Sequence, residues 1–210
     1  MSTTNAGVDN SVNARHPPGD AMAELRAASW PCHQRLERRI NIGARFTDRA
    51  RYRTHLERMW GFCSALEYAL NPALLTTALP DYVARRKVPS LTRDLAQLGC
   101  SLQEIAALPR CERLPGCDNT AAALGCVYVF EGATLGGRTL LPLVASSLGL
   151  DAAHGAAFLA SYGEHVGSMW RDFGSAVLNS CTRPEERRRA VGAAIETFEC
   201  LGDWLCETRI

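Results

Sequence analysis

Four glycines, Gly125, Gly132, Gly136 and Gly137, stand in one apolar stretch, GCVYVFEGATLGGRT (125–139), with no proline before Pro142. In a helix each glycine costs about 0.8–1 kcal/mol relative to alanine. A chain that keeps several in a few turns needs something close to its backbone in return. Another helix, a phosphate or a flat ligand would each serve, and each implies a different protein.

The surrounding pattern decides the fold class. From Asp20, a candidate N-cap, apolar residues recur at Met22, Leu25, Ala28, Cys32, Leu36 and Ile40, the spacing of one helical face. Pro31 falls inside this run and removes a hydrogen bond to Ala27, so the helix is expected to kink there or to restart with Ser29 as cap. Thr47 is read as the cap of a second helix with Tyr52, Leu56, Met59, Trp60, Cys63, Leu66 and Leu70 inward, ended by Asn71-Pro72. His55 and Glu57 lie at the border of that stripe and are expected on its solvated face. Residues 81–99 predict a helix interrupted at Pro89 and recapped by Ser90, with the basic run Arg85-Arg86-Lys87 in solvent. Ser101-x-x-Glu104 predicts a capping box, and residues 109–118 a loop. Phe158 to Leu178 reads as one helix weakened by Gly163, Gly167 and Gly174. Thr182-x-Pro184-Glu185 reads as a second capping box, opening a last helix with Val191, Ile195, Phe198, Leu201 and Leu205 inward. No run alternates well enough for a strand. The expectation is a single all-α domain over 20–210, preceded by a polar, disordered tail over 1–19 in which His16 has no role.

Composition narrows function further. A net charge of +1 gives no electrostatic case for nucleic acid or an anionic membrane. Glu131 and Arg138 interrupt the longest apolar stretch, 121–150, which argues against a membrane span. Nine cysteines, an odd number with no Cys-x-x-Cys pair, behind a polar N-terminus, read as reduced, buried thiols of a cytoplasmic protein and not as a zinc site.

Three readings of the glycine stretch remain. Gly132 to Thr139 fits a phosphate loop with arginine in place of lysine, but arginine does not substitute freely there and no other strand is present to form the required sheet. Gly132-x-x-x-Gly136 fits close helix packing, the favoured reading when the stretch stands alone. A flat cofactor against the helix backbone demands a metal-ligating histidine elsewhere, oriented by an acceptor. His33 and Glu37, at i and i+4, supply that pair. Arg26, two turns before His33 on the same face, suits a carboxylate of such a ligand.

LRAASWPCHQRLE (25–37) followed by LGCVYVFEGATLGGRTL (124–140) resembles haem oxygenase, and is most similar to the bacterial branch that accompanies bacteriophytochromes. YGEHVGSMWRDF (162–173) and TFECLGDWL (197–205) resemble the same branch. The resemblance implies a helical bundle holding haem between a proximal and a glycine-rich distal helix. It implies His33 as proximal iron ligand, Glu37 as its partner and Arg26 as a propionate contact. Gly132, Gly136 and Gly137 match the distal glycines. Haem b would be both substrate and cofactor, opened by dioxygen at a meso carbon to biliverdin, carbon monoxide and ferrous iron. Electrons would come from an external ferredoxin or flavin reductase, and a bacteriophytochrome would receive the bilin. Arg138 and Arg171 are candidate propionate or surface partners, Tyr128 a candidate hydrogen-bonding group near the pocket or a packed aromatic, and Phe198 and Trp170 candidates for core or pocket wall. The sequence departs from the family at Ala133, where many members carry aspartate; Thr134, main-chain groups or water would then handle protons. A non-catalytic haem-binding protein of the same fold is the alternative.

Overall fold

The computed structural model describes residues 20–206, and the expected tail over 1–19 lies outside them. Its helices in chain order are α1 (Ala21–Ile40), α2 (Ile42–Arg45), α3 (Arg49–Ala69), α4 (Pro72–Ala78), α5 (Tyr82–Arg85), α6 (Val88–Gln97), α7 (Leu102–Ala106), α8 (Thr120–Leu148), α9 (Ala157–Ala160), α10 (Val166–Ser180) and α11 (Pro184–Cys206). A 3₁₀ turn, Gly163–His165, precedes α10. Among the described residues there is no strand, so the chain is all-α, and no helix is long and apolar enough to cross a membrane.

The caps follow the sequence closely and differ where a neighbour competes. Asp20 caps α1 by accepting from the Met22 amide at 2.8 Å. Pro31 does not divide that helix, which is assigned unbroken from 21 to 40. Ser29 is therefore no cap; its hydroxyl donates back to the Leu25 carbonyl at 2.6 Å, and Ser29 takes the buried place expected of Ala28. Asp48, not Thr47, caps α3, because its carboxylate reaches the Arg51 amide while Thr47 donates back to Ala44. The expected helix over 81–99 does break, but at Arg86 and Lys87, ahead of Pro89. Pro89 occupies the first turn of α6, where a missing amide hydrogen costs no helical bond. Ser90 is no cap; its hydroxyl donates to the Lys87 carbonyl at 2.9 Å. The Ser101/Glu104 capping box is present. At α11 the reciprocating acid is Glu186, which accepts from the Arg183 amide, while Glu185 pairs with Arg189. The expected helix over 158–178 is broken between α9 and α10 at Ser161 and Gly163, both at positive φ.

Long helix α11 organises the bundle by packing along both α8 and α1, whereas α1 and α8 hardly meet. Gly125 sets the first approach, against backbone, and Gly202 eases the second, against the side-chain ends of Arg39 and Leu36. A Cβ on Gly125 would overlap the carbonyl oxygen of Ala190 in α11, and one on Gly202 would lie 3.3 Å from Leu36 of α1. The core fills with the predicted α3 stripe, from Tyr52 to Leu70, and with Phe46, Phe62 and Phe173. His55 joins it, against the expectation of a solvated face. Its ring stands edge-on to Phe46 at 5.6 Å, and burial beside Arg45 pushes its pKa down to about 3. Glu57 is half-buried and accepts from Arg53 at 2.8 Å. All nine cysteines are free, and seven of them are buried.

Candidate active site

Because α1 and α8 are held apart by α11, a cleft of about 290 Å³ opens between them. Arg26, Trp30 and His33 of α1 line one side, Tyr128, Gly132 and Ala133 of α8 the other, and Phe198 of α11 and Trp170 of α10 close it. A larger hollow of about 480 Å³ around Arg39, Arg113 and Asp203 has no histidine in its lining.

His33 is the one imidazole at the cleft. Its side chain is 40% exposed, yet Nδ1 is buried and makes no hydrogen bond. Glu37 lies 3.6 Å from Nδ1, within range of an ion pair but too far for a hydrogen bond, and is itself 65% exposed. The ring is instead fixed by aromatic contacts. Trp30 stacks on it at 5.3 Å with 12° between the planes, and Phe198 meets it edge-on at 5.7 Å. With Nδ1 buried, Nε2 is the nitrogen left to ligate a metal.

The glycines of α8 divide into two kinds. Gly125 and Gly137 are packing glycines. A Cβ on Gly137 would overlap the carbonyl oxygen of Leu159 in α9, so this residue serves helix contact and does not line the cleft. Gly132 and Gly136 have nothing within 4 Å of a Cβ position; Gly132 lines the cleft and Gly136 is exposed beside it. The phosphate-loop reading fails on the backbone, which is helical throughout and joins no sheet.

Arg26 lines the cleft, whereas Arg138 and Arg171 are exposed and do not. Tyr128 is buried with its ring 5.8 Å from Trp170, and burial raises its pKa. Thr134 is buried and donates to the Glu131 carbonyl at 2.7 Å, which commits its hydroxyl within the helix. Among the described residues no group of three or more His, Cys, Asp or Glu could hold a metal, so a ligated iron has to arrive with most of its own ligands. An apolar cleft, one imidazole with a free nitrogen, open space over Gly132 and a guanidinium at the edge fit a haem.

The basic run read as solvated is the largest miss. Arg85 and Lys87 are buried and both bind Glu131, which precedes Gly132 in α8. Only Arg86 remains half-exposed, paired with Glu67 at 2.9 Å. The signal available in the sequence was the lone acid, Glu131, inside an apolar helix, since a buried carboxylate requires cations.

The family described as Heme oxygenase matches residues 20–207. Heme oxygenase PigA of Pseudomonas aeruginosa is 29% identical over 176 residues, covering 84% of this chain and 86% of that protein. A heme oxygenase of Xanthomonas campestris pv. campestris is 33% identical over 99 residues, covering 47% of this chain and 56% of that one. In fold, the chain is similar to the NO- and CO-bound heme oxygenase of Neisseria meningitidis, with a TM-score of 0.77 at 22% identity, covering 89% of this chain and 90% of that one.

Proposed function

This chain belongs to the haem oxygenase family, and from that premise we propose that it opens haem at a meso carbon to biliverdin, carbon monoxide and ferrous iron. The observation that carries the reading is one cleft with an imidazole on one wall and bare glycine backbone on the other. Bound haem supplies the redox-active iron that activates dioxygen, and is itself the molecule oxidised.

The residues divide the remaining work. His33 would hold the iron from the α1 side through Nε2, since Nδ1 is buried and turned away from a hydrogen-bond partner. Glu37 contributes through solvent at most, given its 3.6 Å gap and exposure. Arg26 pairs with a propionate at the cleft edge. Gly132 leaves room for a diatomic molecule near the α8 backbone, with Gly136 extending that open side. Ala133 brings no acid, and the Thr134 hydroxyl is committed to the Glu131 carbonyl, so protons arrive through water or main-chain groups. Tyr128, Phe198 and Trp170 shape the walls and exclude water.

Electrons come from an external ferredoxin or flavin reductase. The buried free thiols suit a reducing cytoplasm. A bacteriophytochrome as recipient of the bilin rests on the motif resemblance over 25–37, 124–140, 162–173 and 197–205.

Titration with haem, followed by reductant under air, tests the proposal. A one-to-one absorption complex that decays to a biliverdin band with release of carbon monoxide is expected. His33→Ala should lower turnover by more than the roughly 10–100-fold that loss of a ligand's supporting partner costs. A stable complex without ring opening would leave a haem-binding protein instead.

A further inference from the structure

The part of α8 that lines the cleft runs into its densest group of glycines, each a poor helix former. Gly132, Gly136 and Gly137 fall within six residues, and of these only Gly137 is packed against another element. Directly before them stands Glu131, with its side chain 1% exposed. Its Oε2 accepts from Arg85 Nη1 at 2.6 Å, and its Oε1 accepts from the Tyr162 hydroxyl at 2.6 Å and from Lys87 Nζ at 3.2 Å. Lys87 Nζ also donates to the Tyr162 oxygen at 2.6 Å, which closes a triangle.

The cluster reaches a second wall of the cleft. Arg85 Nη1 donates to the Met169 carbonyl in α10 at 3.0 Å, and the other edge of the guanidinium grips Asp81 at 2.7 and 2.8 Å. Gly132 follows Glu131, and Trp170 follows Met169; both line the cleft. The four charges of Asp81, Arg85, Lys87 and Glu131 balance. A buried ionic group of this kind adds little stability over an apolar core, and its best-attested use is to specify one arrangement among several.

We propose that Glu131, with Arg85, Lys87 and Tyr162, is a positioning cluster that fixes the glycine wall and the Trp170 wall of the cleft relative to each other. The proposal rests on the haem reading for its functional consequence: the cluster sets how closely the α8 backbone approaches a molecule bound opposite His33.

Two variants of the full chain test it. Tyr162→Phe removes one hydroxyl and keeps the ring beside Lys87. The double variant Lys87→Met with Glu131→Gln removes one charge of each sign, so it leaves no net buried charge even if the single changes misfold. Amide hydrogen exchange of the haem-free chain should rise about tenfold or more over 131–137 in Tyr162→Phe, the scale of a lost bond to a charged group. Exchange in α1 and α11 should stay as in the wild type. In the reduced haem complex, carbon monoxide should leave several-fold faster while haem affinity changes less than about twofold. The double variant should move both readouts the same way. Unchanged exchange over 131–137 in both variants would overturn the proposal. A uniform rise across all helices would overturn it as well, by reducing the cluster to general support. A wild-type chain that took up no haem would sink the haem reading, and the exchange pattern would still decide whether the cluster holds this stretch.

Discussion

The two walls of the cleft are held by opposite means. On the α1 side, a side chain must present one atom, and packing orients it: Trp30 covers one face of His33, Phe198 meets it edge-on, and the nearest carboxylate stays out of hydrogen-bond range. On the α8 side the wall turns from packed side chains, Tyr128, Val129 and Phe130, to Gly132 and Ala133, which present little beyond backbone. Its anchor lies behind it, in directional bonds from Arg85, Lys87 and Tyr162 to Glu131. Many small contacts suffice to aim a ring. A bare helix needs a few strong bonds at one point.

The same chemical change at two glycines should break this comparison most visibly. Gly125→Ala forces a methyl into the Ala190 carbonyl, backbone against backbone, so α8 and α11 must separate; a loss of about 1–3 kcal/mol is expected. Gly132→Ala meets open space and should stabilise the haem-free chain by about 0.8–1 kcal/mol, the helix-propensity difference, while taking room from the cleft. Denaturant titration reads both, and effects of equal sign would mean that the glycines form a single class.

Acid should separate the walls next. His55 lies under the end of the α1/α11 pair, where Arg45 donates to the carbonyls of Ile40 and Leu205. Its folded pKa is about 3, below the ordinary 6.5, so the unfolded chain binds more protons between those values, and stability falls as pH drops through that window. At pH 5 the expected loss is about 2 kcal/mol relative to neutral pH. His55→Leu should remove that slope; an unchanged slope would place the acid sensitivity elsewhere.

The smallest effects test what aims His33. Trp30→Ala should weaken haem binding by roughly 2–10-fold, the scale of one aromatic pair. Glu37→Gln should change it by less than about fivefold, as suits an exposed pair at 3.6 Å. A larger effect at Glu37 would mean that the carboxylate closes on the ring once haem is bound, and would return the α1 wall to hydrogen-bond control.

What could be read in the sequence were the local features. Asp20 as a cap, the Ser101/Glu104 box, the inward stripe of α3 and the adjacency of His33 and Glu37 all depend on neighbours within one or two turns. What could not be read were the pairings across the fold. The run Arg85-Arg86-Lys87 looks like a solvated face until Glu131, more than forty residues on, is placed against it. Gly137 looks the same as Gly136 until Leu159 of α9 is set beside it. His55 sits at the border of a stripe, and only Phe46 and Arg45, from a different segment, decide that it is inside.

The nine free cysteines carry a last consequence. The nucleophile and the target of oxidants is the thiolate, not the thiol. Burial pushes Cys126 up to about 12, Cys181 up to about 11, and Cys63 well above its ordinary value. At neutral pH Cys126 is then ionised to on the order of one part in 10⁵. If the chain opens haem with dioxygen as proposed, ionised sulfur of this kind would expose it to damage at every turnover. Packing seven of the nine thiols into the core keeps those seven chemically quiet without removing them from the chain.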